Sequence, residues 1–311
     1  MPIPSQLIAN GLIAGALYAL IASGFALVYM VLRFIHFAHG AVFMAGAFAA
    51  YSFLVLLRLP PAAAVALALA VTALLGVLID HMVYRPLRKK NEDERALLLA
   101  SIGVFIFLQG LALLLFGAAP RSLGMSQAAR GIPVAGALVT PLQLIIIAVS
   151  VLLLAALYLF LRKSRLGKAM RAVASDREVS SVVGISVEKV YAATFLIGSA
   201  LAGAAGILAG LEQGMEPNMG LLALLKGLTA AIVGGISSVP GAMVGGFAIG
   251  IIENIGIWFI PSQWKDAIAF AVLFVFLIAR PQGLFGHTTP QKHRVATEPQ
   301  KSGECGVRNA E

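Results

Sequence analysis

Few side chains in this 311-residue chain could do chemistry, and most of those lie inside apolar runs. His36 and His39 stand three residues apart, so a helix would set both imidazoles on one face. Such a pair can bind a metal, gate a pore or shuttle a proton near neutral pH. No Asp, Glu or Cys at ligand spacing accompanies them, so no metal is expected. The plainer role is to bond backbone carbonyls freed where a helix is broken. Glu253 falls inside another apolar run, and a carboxylate at membrane depth marks a functional site unless Asn254 or a second helix pairs with it. Lys226 is near the expected outer end of its run, within snorkelling reach of water. Asp80 and His81 fall near the cytoplasmic end of theirs, where burial need not be complete, and Glu212 and Glu216 read as outer-loop charges.

Catalytic signatures are missing. The phosphate-cradling pattern G-x-x-x-x-G-K-[ST] fails at both ends, because Arg162 opens the only near match and Ala169 follows Gly167-Lys168. Neither H-E-x-x-H nor G-x-S-x-G occurs. The single cysteine, Cys305, sits in a polar tail and can make no intrachain disulfide. No covalent chemistry and no cofactor are expected. Two rivals stay open on the residues alone: an ion-coupled secondary transporter using Glu253 or the histidines, and an intramembrane enzyme built on His36, His39 and Glu253.

Whatever these residues do, a lipid-embedded scaffold must position them. Hydrophobic residues make up 59% of the chain and charged residues only 12%, against about 25% charged in a soluble protein. Mean hydropathy is +0.92. A bilayer crossing takes about 20 apolar residues, and the runs near 7–32, 34–57, 62–83, 97–117, 141–161, 190–211, 221–238, 241–260 and 264–280 are candidates. The expected fold is all-α, a polytopic bundle of about eight or nine spans with broken or re-entrant helices. It would form one domain over 1–281, followed by a disordered cytoplasmic tail over 282–311 that has too little apolar surface to fold. The first run follows no basic segment and is long enough to span, so no cleavable signal is expected. The net charge of +9 gathers in two interior loops and the tail, with no basic run interleaved with aromatics, so nucleic acid is not expected as a partner. Membrane lipid is.

Residues 162–189 form a polar island carrying seven Lys/Arg and three Asp/Glu, while 141–161 and 190–211 have no charge. Short loops of that kind stay cytoplasmic. Ser175 and Glu178 have capping-box spacing. Val179, Val182 and Val183 then make one apolar face, and Gly184 can close the helix in the left-handed conformation. A helix this short is marginal alone, which marks it as a docking element for a partner protein. The loops 118–140 and 212–220 are placed outside.

Helix breaks are expected at His39-Gly40 and from Gly234-Gly235 to Pro240-Gly241. Broken backbone at membrane depth must be buried in protein or line a watery cavity. The likeness of 39–49 to 240–250, with Ala45 and Ala49 matching Gly246 and Gly250, also suggests a faint internal repeat of the transporter kind. His36, His39, Gly40, Gly234, Gly235, Pro240, Gly241 and Glu253 are therefore the candidate lining of a translocation path.

Three long stretches, in this order, resemble a known family: HFAHGAVFMAGAFAAY (36–51), GKAMRAVASDREVSSVVGISVEKVYAATFLIGSALAGAAGILAG (167–210) and KGLTAAIVGGISSVPGAMVGGFAIGIIEN (226–254). They are similar to permeases of branched-chain amino acid ABC transporters, over about residues 5–285. Length and the early FAHG motif resemble the shorter, H-type permease subunit, although His36 stands where Asn would be expected. The resemblance implies a transmembrane subunit of an ATP-driven importer in a bacterial inner membrane. Relatives in the family carry urea or short amides, which makes those the alternative substrates. Implied partners are a second related permease, two ATP-binding subunits inside and a periplasmic solute-binding protein outside. The implied ATPase-coupling segment begins at Gly167, Lys168, Ala169, Met170, Arg171, Ala172, Val173, Ala174 and Ser175. It continues through the docking helix, Asp176, Arg177, Glu178, Val179, Ser180, Ser181, Val182 and Val183, and ends at Gly184 and Ile185.

Overall fold

The structure, a computed structural model, describes residues 3–90, 92–123, 131–134 and 136–285. Its long helices are α1 (Ile3–Leu32), α2 (Ala38–Tyr51), α3 (Pro61–Ile79), then, past the short α4 (Arg85–Lys89), α5 (Glu94–Phe116) and α6 (Pro141–Lys163). After the short pair α7 (Arg165–Ser175) and α8 (Arg177–Val182) come α9 (Val187–Gln213), α10 (Met219–Gly234), α11 (Val239–Gly256) and α12 (Lys265–Ala279). Helices predominate because hydrocarbon offers no partner for a backbone amide, and a helix satisfies its own.

Among the described residues, eight helical stretches are long and apolar enough to cross a bilayer, once α2 is counted with its π-helical continuation Ser52–Leu56 and α12 with the 3-10 turn Ser262–Trp264 before it. The 16-residue α10 is not, since 1.5 Å per residue carries it only about 24 Å. The choice between eight and nine spans thus resolves to eight, with α10 and α11 as the broken pair. Other regular structure among the described residues is confined to short pieces, including a two-stranded hairpin of β1 (Ile132–Val134) and β2 (Ala137–Val139).

At the centre, α1 packs on α9, α10 and α11. Small residues let the backbones close: a Cβ added to Gly11 or Gly15 would lie 2.9 Å from the Cα of Ile251 or Phe247. On the outside, α3, α5, α6 and α12 turn large apolar side chains such as Leu74, Leu114, Leu152 and Ile278 outward, the surface a lipid-embedded protein needs.

The loops expected outside are tied together. Arg121 and Met215 exchange two backbone hydrogen bonds of 2.8 Å. Glu212 proves to be in the last turn of α9 and accepts from Gln143 Nε2 at 2.7 Å. At the other end of the chain the folded body reaches Phe285, past the expected boundary at 281. The amides of Leu284 and Phe285 donate to the carbonyls of Val233 and Gly234. Most of the expected tail, 286–311, lies outside the described residues.

Candidate functional site

The polar island folds as two helices rather than one. Ser164 accepts from the Gly167 amide at 2.8 Å and starts α7. That helix buries Met170 and Val173 against the bundle and leaves Lys168 and Arg171 exposed. It runs on through Ser175, so Ser175 cannot be the cap expected of it. The chain first becomes extended at Asp176 (φ −153°, ψ 113°), whose carboxylate accepts from the amides of Glu178 and Val179 at 3.0 Å each. Only a residue outside the helical conformation can turn its side chain onto the first free amides. The cap is therefore Asp176, one residue later than the capping-box spacing suggested.

Gly184 takes φ 86°, and the Ile185 amide reaches back to the Ser180 carbonyl at 3.0 Å, a Schellman closure. Between these ends Ser180 is buried, while Val179, Val182 and Val183 are 58%, 86% and 68% exposed. Three valines in water on one short helix form an apolar face with nothing of this chain upon it.

The helix has stiff supports. The Arg177 guanidinium lies 5.8 Å from the centre of the Tyr191 ring, and Arg88 lies 4.7 Å from the same ring. Arg88 also pairs with Asp80 at 2.7 Å and with Glu188 at 3.3 Å. Asp80, expected to be only partly buried, is 3% exposed. A π-helical turn over Asp80–Tyr84 brings both of its end residues inward. Arg33, between α1 and α2, donates to the carbonyl of Ala174 at 2.9 Å.

Both histidines are buried at that break. His36 Nδ1 shares a hydrogen bond of 2.9 Å with the Tyr84 hydroxyl. His39 Nε2 lies 3.2 Å from the Ile21 carbonyl; a carbonyl only accepts, so this nitrogen carries the proton. The rings meet edge-on at 5.9 Å, and His36 Nε2 and His39 Nδ1 have no partner. No group of three or more His, Cys, Asp or Glu suited to a metal occurs among the described residues.

The break expected at His39-Gly40 comes earlier, between Leu32 and Ala38, so both residues lie in the first turn of α2, and backbone packs against the glycines. Gly40 faces the Gly220 carbonyl and Leu224. Gly235 turns the chain at φ 112°, and Ser238 caps α11 on the Gly241 amide. Gly234, Gly235 and Gly241 are buried, while Pro240 is exposed. The carbonyls freed at the end of α10 are those that Leu284 and Phe285 satisfy.

Glu253, fully buried, meets Lys226 Nζ at 2.6 Å. Lys226 does not snorkel: it also binds Asp266 at 2.7 Å and the Tyr18 hydroxyl at 3.0 Å, joining four helices. Sequence reasoning weighed the two charges separately. Their being opposite and each solitary in an apolar run was the available signal. Above them a cavity of about 440 Å³ is walled by Leu17, Tyr18, Ile21 and Phe43 with Met215, Glu216, Met219 and Lys226, among others.

Comparison with known proteins places this architecture among permeases. A family model described as "Branched-chain amino acid transport system / permease component" matches residues 7–277. The chain is 37% identical over 300 residues to the high-affinity branched-chain amino acid transport system permease protein BraD of Pseudomonas aeruginosa, covering 92% of this chain and 97% of that one. It is 36% identical over 298 residues to the corresponding protein LivH of Escherichia coli K12, covering 91% and 96%. The solved structure of PsaBC from Streptococcus pneumoniae in complex with Fab is similar in fold, with a TM-score of 0.50 at 16% identity over 88% of this chain and 92% of that one.

Proposed function

The chain belongs to the family of branched-chain amino acid transport system permease components, and from that premise we propose that it is the H-type permease subunit of an ATP-driven importer of branched-chain amino acids. It sits in a bacterial inner membrane with its basic loops on the cytoplasmic side. A second, related permease completes the path. A periplasmic solute-binding protein delivers substrate to the outer loops 118–140 and 212–220. Two ATP-binding subunits dock inside, and the chain itself makes and breaks no covalent bond.

The observation that carries this reading is the valine face of α8. A two-turn helix with three exposed valines is too short to persist alone, yet it is capped at both ends and braced at Arg177. It presents apolar surface to a groove on another protein. Through Gly167 to Ile185 the coupling segment would move as one body when the ATP-binding subunits close. Arg177 would pass that movement to Tyr191 on α9, whose ring also faces Arg88 and through it Asp80 at the end of α3, while Ala174 would pass it to the α1–α2 break through Arg33. Movement of the break would displace the helix ends that carry His36, His39 and Gly40, and alternate the path between its two openings.

Substituting Val182→Asp together with Val183→Asp tests the docking role. The variant should insert in the membrane as usual and fail to co-purify with the ATP-binding subunits. Normal co-purification would remove α8 from the mechanism.

A further inference from the structure

An ammonium group has three N–H donors, and those of Lys226 are all engaged. They reach Glu253 Oε1 at 2.6 Å, Asp266 Oδ1 at 2.7 Å and the Tyr18 hydroxyl at 3.0 Å. The two carboxylates are not equivalent. Glu253 has no exposed surface, whereas the Asp266 side chain is 46% exposed. Removing Lys226 from Glu253 would strand a buried charge, whose second oxygen already lacks a partner. Removing it from Asp266 strands a carboxylate that is already half exposed near the start of α12, at the smaller cost of the two. One ammonium thus holds a permanent anion and an exchangeable one.

Lys226 and Tyr18 also stand in the wall of the 440 Å³ cavity. Its volume falls in the range of small-molecule sites, about 300–1,000 Å³ and mostly apolar with a few placed polar groups. Here the apolar wall includes Leu17, Ile21, Phe43 and Met219, and the other charged group is Glu216. One cation, one anion and an aliphatic surface are the complement of a zwitterion with an aliphatic side chain.

We propose that this cavity binds a small aliphatic α-amino acid, whose carboxylate takes the place of Asp266 on Lys226 while its ammonium faces Glu216. The proposal rests on the import reading above and names the residues that would receive the substrate within the membrane subunit. Lys226 keeps Glu253 throughout, so the charge at its head is the same before and after the exchange. Release of Asp266 loosens α12 from α10, which gives the cavity a way to register that it is filled.

The test uses spheroplasts, freed of periplasm, that carry the whole transporter with Cys305→Ser and Ala223→Cys, the latter on the cavity wall. A small membrane-impermeant methanethiosulfonate should label residue 223, and leucine should protect it. Isoamylamine, which lacks the carboxylate, and 4-methylpentanoate, which lacks the ammonium, should not. Asp266→Asn removes the competitor and keeps the Lys226–Glu253 pair, so the leucine concentration for half-protection should fall about fivefold. Lys226→Met should abolish protection. Equal protection by isoamylamine, no protection by leucine, or an unchanged or higher half-protecting concentration in Asp266→Asn overturns the site. ATP-driven leucine uptake, with binding protein restored, is measured beside it. Uptake without protection refutes this site alone, whereas absent uptake refutes the import reading.

Discussion

The guanidinium of Arg33 donates to the carbonyl oxygen of Ala174 at 2.9 Å across 141 residues of sequence. One partner sits in the break between α1 and α2, the other in the last turn of α7, two residues before the cap of α8. Arg33 is held at φ 62°, a left-handed conformation that costs a non-glycine residue of order 1–3 kcal/mol. A charged hydrogen bond contributes about 1.5–3 kcal/mol, enough to offset that strain. The bond therefore keeps the break in its shape, and the polar segment that contains α7 holds one end of it.

Arg33→Ala should separate the motor from the path. The ATP-binding subunits should still assemble and hydrolyse ATP, while leucine uptake falls about tenfold, the loss expected for a charged hydrogen bond of this size. Uptake and hydrolysis measured on the same proteoliposomes decide it. Wild-type uptake per ATP would show that the coupling runs elsewhere.

Capping of α8 makes a sharper distinction between neighbours. Asp176→Ala removes the acceptor of two amide hydrogen bonds and should cost about 1 kcal/mol of helix stability. That should weaken binding of the ATP-binding subunits roughly fivefold. Ser175→Ala, inside α7, should leave it within experimental error. Titration of the reconstituted permease with ATP-binding subunits compares the two, and a larger effect at Ser175 would restore the capping box to Ser175.

Close packing predicts which glycines tolerate a methyl group. In Gly206→Ala the new Cβ would overlap the Phe43 carbonyl between α9 and α2, whereas nothing lies within 4 Å of one added at Gly103 on α5. Overpacking costs about 1–3 kcal/mol. Gly206→Ala should lower the thermal midpoint of the purified protein by several degrees, and Gly103→Ala should leave it unchanged or raise it. Equal midpoints would mean that α2 and α9 do not approach as described.

Much of the site was legible because it depends on local chemistry. The valines at 179, 182 and 183 share a face in any helix, and Gly184 closes that helix as its conformational freedom allows. The His39 side chain does bond a backbone carbonyl, but that of Ile21 inside continuous α1 rather than one freed at a helix break, which only the packing of α1 on α2 could decide. The cap moved from Ser175 to Asp176 because spacing alone cannot say where the preceding helix stops. Lys226 and Glu253, 27 residues apart, were weighed apart because their pairing depends on how α10 and α11 fold back on one another.

By itself, the sequence determined the class of the protein: runs of about 20 uncharged residues separated by basic loops admit no soluble fold, since hydrocarbon length and charge placement are properties of the chain. It also picked out the polar segment between two spans whose valines stand exposed. Tertiary structure alone decided that α10 falls short of a span and that Leu284 and Phe285 close its end. It likewise decided that Arg33 holds α7, and that one ammonium serves two carboxylates under a cavity. These are contacts between residues far apart in sequence. Each exists because packing leaves a buried polar group that must find its partner within the protein.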